Sequence, residues 1–138
     1  MLEDKKYKIY GSEHIGVIVS DIAASKHFYC DILGMEVVYE KVATVPAGKI
    51  HACFVKLGNI TLDLEQYPEF PKGKGEGLID HICFGVKNLE EAIADLRSKG
   101  VQFTSDEAIK LPDFFQNGIQ FIFFRGPDNE MLELAELF

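Results

Sequence analysis

Positive charge is scarce in this 138-residue chain: 14 lysines and arginines face 22 acids, the net charge is −8, and Arg97 and Arg125 are its only arginines. The lysines are scattered among acids, so there is no basic stripe to neutralise phosphates, and nucleic acid is not an expected partner. Long apolar runs are missing as well. None approaches the roughly 18 residues of a membrane span, and "MLEDKKYKIYG" puts charges where a signal peptide needs an apolar core. The expectation is a cytoplasmic protein with no membrane partner. Cysteine is sparse: Cys30, Cys53 and Cys83 are odd in number, widely spaced and free of any C-x-x-C pair. Embedded in apolar periodic segments, they are expected to be reduced core thiols.

What is present suffices for a folded domain. With 47% hydrophobic and 12% aromatic residues, the chain can bury a sizeable interior. Its main feature is a repeat. "EHIGVIVSDIAAS" at 13–25 aligns without a gap on "DHICFGVKNLEEA" at 80–92, a spacing of 67 that sets His14 on His81 and Val19 on Val86. Later in each half the spacing becomes 70, and "NITLDLE" lies on "NEMLELA", so Asp63 matches Glu133. Each half reads strand, helix, then three strands.

Helices are predicted over 22–33 and 89–99, ending at Gly34 and Gly100. Asp21 or Ser20 is the expected N-cap of the first, and Asn88 with Glu91 forms a capping-box variant on the second. Predicted strands are "MEVVYE", "KIHACFVKL" and "ITLDLEQY" in the first half, and "VQFTSD", "IQFIFF" and "EMLELAEL" in the second. The modules run 9–67 and 78–138, joined by the Pro/Gly/Lys-rich linker 68–77. The loop "IKLPDFFQNG" carries Phe114 and Phe115, which either clasp the core or wall a pocket.

Strand alternation gives the repeat a chemical meaning. His14 shares a face with Gly16 and Ile18, and His81 with Cys83 and Gly85, so both imidazoles stand over small residues. Asp63 and Glu133 each stand alone opposite a leucine face. Two imidazoles and two carboxylates suit a divalent ion such as Ni, Co, Zn or Mn. Glu65 lies on the Asp63 face with a longer reach and is the alternate ligand, although it falls on Ala135 in the repeat. His27 and His51 have no counterparts and receive no role.

The segments "HIGVIVSDIAASKHFYCDILGMEVV", "GLIDHICFGVKNLEEAIADLRSKGV" and "FRGPDNEMLELAE" resemble the vicinal oxygen chelate superfamily, the glyoxalase, bleomycin-resistance and extradiol dioxygenase group. The resemblance covers about residues 9 to 136. It implies an α+β fold of two βαβββ modules forming a curved mixed sheet around a metal-binding cleft. Carried over from glyoxalase I-like members, the metal ligands become His14, Asp63, His81 and Glu133, with aspartate where glutamate is more usual. The implied function is a divalent-metal-dependent glyoxalase-like lyase or isomerase, moving a proton next to a carbonyl through an enediolate. Glu133 is the expected base, with Asp63 or Glu65 serving the opposite face.

The implied substrate is a small molecule, a thiol-carried acyl or carbonyl compound, and the implied assembly a homodimer. Glutathione-using members resemble one another in an arginine four residues after the first ligand, where this chain has Ile18. The linker "PKGKGEGLIDHICF" resembles methylmalonyl-CoA epimerases, with Lys72 and Lys74 as candidate contacts for a CoA phosphate. A non-enzymatic small-molecule-binding resistance protein is the third reading.

Overall fold

Apolar and polar residues alternate along eight segments of the chain, and a computed structural model, which describes residues 6, 10–46, 48–71, 76, 77, 79 and 81–138, pairs these into two sheets. The first sheet contains β1 (Ile15–Ile18), β2 (Glu36–Val45), β3 (Gly48–Leu57) and β4 (Ile60–Gln66), in the order β1-β4-β3-β2. The second contains β5 (Ile82–Gly85), β6 (Ile109–Leu111), β7 (Ile119–Arg125) and β8 (Met131–Leu137), in the order β5-β8-β7-β6. In both, the first strand runs parallel to the last and the remaining pairs are antiparallel. A parallel pair needs a crossover, and each half has one helix directly after its first strand. The architecture is α+β, two βαβββ modules with the same strand order.

The described residues up to Ile22 form one compact unit with Gly34–Phe70, while Ala23–Leu33 group with the described residues of Pro71–Phe138 in the other. In the first unit Cys53, Val55, Leu62 and Leu64 are fully buried. In the second, Tyr29, Leu89, Ile122, Phe124 and Leu132 are fully buried, and Phe28 stacks obliquely on Phe124 with ring centroids 6.4 Å apart. The Tyr29 hydroxyl donates to Glu130 Oε2 at 2.7 Å. Burial first, and Glu130 second, hold its ionisation well above the usual tyrosine range. Gly126 makes room for this partner, because a Cβ there would collide with the Glu130 carboxyl.

Several expectations are corrected. The first helix has the expected extent but not one geometry: α1 (Ile22–Lys26) continues as a π-helical segment, His27–Ile32. "VQFTSD" is not a strand beyond a single bridge from Phe103 to Phe124. Arg97 Nη2 takes the carbonyls of Ser105 and Asp106 at 3.0 and 2.6 Å, leaving them unavailable to a ladder. The third pairing partner is instead β6, inside the segment read as a loop. Phe114 and Phe115 do not clasp the core; they are 56% and 67% exposed and pack edge-on against each other. Cys53 is a core thiol as expected, but Cys83 is exposed.

Gly34 and Gly100 do end their helices with φ of +89° and +88°, values an L side chain resists. The second helix takes its N-cap from another source. Asn88 makes no side-chain cap; its own φ is 60°, and Glu136 accepts from the N–H groups of Asn88 and Leu89, both at 3.0 Å. In the first half, Gln66 Oε1 accepts from Ile22 N at 2.7 Å. Gln66 and Glu136 are 70 residues apart, so the late-strand repeat supplies an acceptor to the start of each helix. Each cap lies three residues beyond a predicted acidic ligand, which ties the ligand-bearing strand to the start of its helix.

Candidate metal-binding half-sites

Parallel pairing fixes where each imidazole meets its acid. Gly16 lies opposite Asp63 in the β1–β4 ladder, and Cys83 opposite Glu133 in the β5–β8 ladder. Each histidine precedes the first residue of its strand, so its ring can lean over the facing carboxylate. His14 Nε2 is 4.0 Å from Asp63 Oδ2, and His81 Nε2 is 3.1 Å from Glu133 Oε1. The four residues therefore come together as two pairs, one in each unit. Among the described residues, no three metal-donating side chains gather in one cluster.

Each pair has a third member that the sequence reading missed. Phe54 meets His14 edge-to-face at 5.2 Å, and Phe123 meets His81 in the same way at 5.3 Å. Phe54 pairs with Asp63 and Phe123 with Glu133, so ring and carboxylate share a sheet face. Their spacing of 69 was the available signal, masked because insertions fall between the aligned segments.

The two pairs differ in electrostatics. Asp63 is buried, its Oδ1 has no hydrogen-bond partner, and its carboxyl is pushed up to about 6, by burial first and then by Glu65. His14 Nδ1 lies 3.1 and 3.0 Å from the two Glu13 oxygens, and this contact is the main cause that raises the imidazole. Glu65 lies against the glycine: a Cβ added at Gly16 would be 3.6 Å from its Oε1. Tyr67 donates to Glu65 Oε2 at 3.4 Å, and Glu65 in turn raises that phenol. In the other pair Cys83 stands beside Glu133, and although the residue as a whole is exposed, desolvation of its sulfur followed by the carboxylate pushes the thiol up to about 12, far from a reactive thiolate.

This donor set fits a divalent ion. Nε2 faces the acid in both pairs, and in the first a carboxylate holds Nδ1, the usual arrangement behind a ligating imidazole. Asp63 Oδ1 is a buried acceptor that only a cation or a donor can satisfy. The repeat offers Asp80 as the equivalent of Glu13, but Asp80 lies outside the described residues, as do Lys72 and Lys74. The remaining histidines are paired elsewhere, His27 with Asp31 at 2.9 Å and His51 with Glu40 at 2.6 Å. Among the described residues, no helix is long and apolar enough to cross a membrane.

Comparison with known proteins bears on the family and the fold. Residues 11–134 match the family model "Glyoxalase/Bleomycin resistance protein/Dioxygenase superfamily". The chain is 30% identical to the mitochondrial methylmalonyl-CoA epimerase of Mus musculus over 74% of its length, a match that spans only 60% of the epimerase. It is 29% identical to a Synechocystis protein named probable lactoylglutathione lyase, over 89% of this chain and 92% of that one. A crystal structure of a glyoxalase family protein from Enterococcus faecalis superposes with a TM-score of 0.73 at 30% identity, covering 92% of this chain and 98% of that one.

Proposed function

The chain belongs to the glyoxalase/bleomycin resistance protein/dioxygenase superfamily, and from that premise we propose that it is a divalent-metal-dependent lyase or isomerase that moves a proton on a carbon next to a carbonyl. The observation that carries this reading is the duplicated trio of imidazole, carboxylate and phenylalanine. His14, Asp63, His81 and Glu133 hold the ion, which is Ni, Co, Zn or Mn. Bound there, it supplies Lewis-acid stabilisation of negative charge developing on substrate oxygens.

The protein's own groups do the rest. Glu133 takes the proton, since its carboxylate sits with only its own histidine and an un-ionised thiol for polar neighbours among the described contacts. Glu65, next to Asp63 and held by Tyr67, serves the opposite face of the substrate carbon. Glu13 keeps His14 Nδ1 protonated and so keeps Nε2 free as a donor atom. Phe54 and Phe123 hold the imidazole planes and exclude water from one side of each.

The substrate is a thiol-carried carbonyl or acyl compound, the assembly a cytoplasmic homodimer. Lactoylglutathione lyase chemistry is the first assignment, supported by the near full-length likeness to the Synechocystis protein. Methylmalonyl-CoA epimerase chemistry is the second, supported by the mouse relative, and needs the same proton abstraction next to a thioester carbonyl. The test is turnover of metal-reconstituted protein on the methylglyoxal–glutathione hemithioacetal and on methylmalonyl-CoA, with Glu133→Gln as control. Activity on one, lost in the variant, assigns carrier and base together. Stoichiometric metal with silence on both moves the substrate elsewhere, and absence of metal binding leaves a drug-sequestering protein.

A further inference from the structure

A cavity of about 650 Å³ opens on the first sheet beside His14. Its walls include Glu13 and Phe54, both in direct contact with that histidine, together with Tyr10, Tyr39 and Lys56. The cavity lies on the ligand face: Phe54 pairs with Asp63 on β4 and with Tyr39 on β2, and Lys56 is two residues along β3 from Phe54. The rings form a continuous run. Tyr39 meets Phe54 at 6.0 Å and 64°, and Phe54 meets His14 at 5.2 Å and 82°. The size is that of a small-molecule site, which commonly measures about 300–1,000 Å³.

We infer that this cavity seats an aryl-bearing organic anion: a flat apolar group of the substrate on Tyr39 and Phe54, and one negative charge on Lys56. The inference rests on the metal-site reading for one thing, the placing of the substrate's reacting oxygens at His14 and Asp63. The exposure of the apolar wall supports it, since Tyr10 is 75% and Tyr39 55% exposed, areas of ring left facing the cavity and solvent. Another flat ring extends the same edge-to-face sequence. Charge sets the rest of the class. Among the described residues Lys56 makes no ion pair, although Glu36 stands opposite it in the β2–β3 ladder, and the lining acid, Glu13, is engaged by His14. One ammonium that makes no ion pair matches a single negative charge on the seated group.

Mandelate and lactate test this directly, because both are 2-hydroxy acid anions and differ by phenyl against methyl; mandelamide removes the charge. Dissociation constants are measured by calorimetry, with amide spectra to locate binding, on the protein with and without zinc. Mandelate should bind about tenfold more tightly than lactate, the value of burying one ring face. Tyr39→Ala should bring the two ligands together. Lys56→Gln should weaken mandelate and leave mandelamide unchanged. Both side chains are exposed, so neither variant threatens the fold. Equal affinities in the unaltered protein, or a preference untouched by Tyr39→Ala, overturn the inference. So does silence of the Tyr39 region to mandelate while its signals move with protein concentration, which gives the surface to a second copy. His14→Ala keeps the readings apart: retained zinc sinks the metal assignment alone, while the aryl preference is read without zinc.

Discussion

The two half-sites share a plan and differ in where they put side-chain volume and charge. On the first sheet the residue facing the acid is Gly16, and the acid two residues further along β4 is Glu65. On the second the equivalent positions are Cys83 and Ala135. Volume has moved across the parallel pair: a bare β1 admits a long carboxylate from β4, whereas β5 carries a thiol and β8 has only the methyl group of Ala135 at the position matching Glu65. In the first half-site Glu13, Asp63 and Glu65 therefore all act to raise the same imidazole, while in the second Glu133 lies beside an un-ionised thiol. A duplication can thus preserve an imidazole–carboxylate–phenylalanine trio while its flanking pair diverges in volume and charge.

Deleting a pair should have the largest effect. His81→Ala or Glu133→Ala should abolish stoichiometric metal while circular dichroism stays native, and metal retained in both variants sinks the ligand assignment. Asp63→Asn should act in opposite directions on metal and on stability. The folded carboxyl titrates near 6 against an ordinary 3.8, so the native state holds this proton more tightly than the unfolded chain. Stability of the metal-free protein is then undiminished below the ordinary value and falls as pH rises from about 4 to 6. The loss is about 1–2 kcal/mol after discounting for partial solvent screening. At pH 7.5 the asparagine variant should melt higher than the parent without metal and bind metal more weakly. A lower melting point at that pH would mean that burial is not what raises the acid. Glu13→Gln comes next: about a tenfold loss of metal affinity, the usual cost of removing a carboxylate behind a ligating imidazole.

How much of this was legible before the structure follows from where the information lies. Strand alternation and the fixed offsets exposed the paired modules, the glycine helix ends and the face on which each histidine and acid stands, because these depend on local period and on repetition. What the sequence hid depends on contacts made across the fold. Asn88 looked like an N-cap from its neighbours, but a left-handed backbone and a carboxylate 48 residues away do that work. "VQFTSD" had strand composition, yet one arginine claims its carbonyls. Cys83 sat in an apolar period and was read as core, although the small-residue face it occupies is the open one. Phe54 and Phe123 drew no reading from the sequence, since edge-to-face contact with a histidine leaves no periodic trace.

The caps provide the smallest effect and the cleanest contrast between halves, because Gln66 is neutral and Glu136 is charged. Gln66→Ala should cost about 1 kcal/mol, the usual value of a lost N-cap acceptor, at any pH. Glu136 behaves otherwise. Its carboxyl is held below the ordinary range by the N–H groups of Leu89 and Asn88, so the stabilisation exists only while it is ionised. That contribution is complete above the ordinary glutamate value and is lost as pH falls through the depressed one. Thermal unfolding of Glu136→Ala should therefore show a deficit at pH 7 that shrinks in acid, while the Gln66→Ala deficit persists. Parallel pH profiles for the two variants would mean that the Glu136 cap does not depend on its charge.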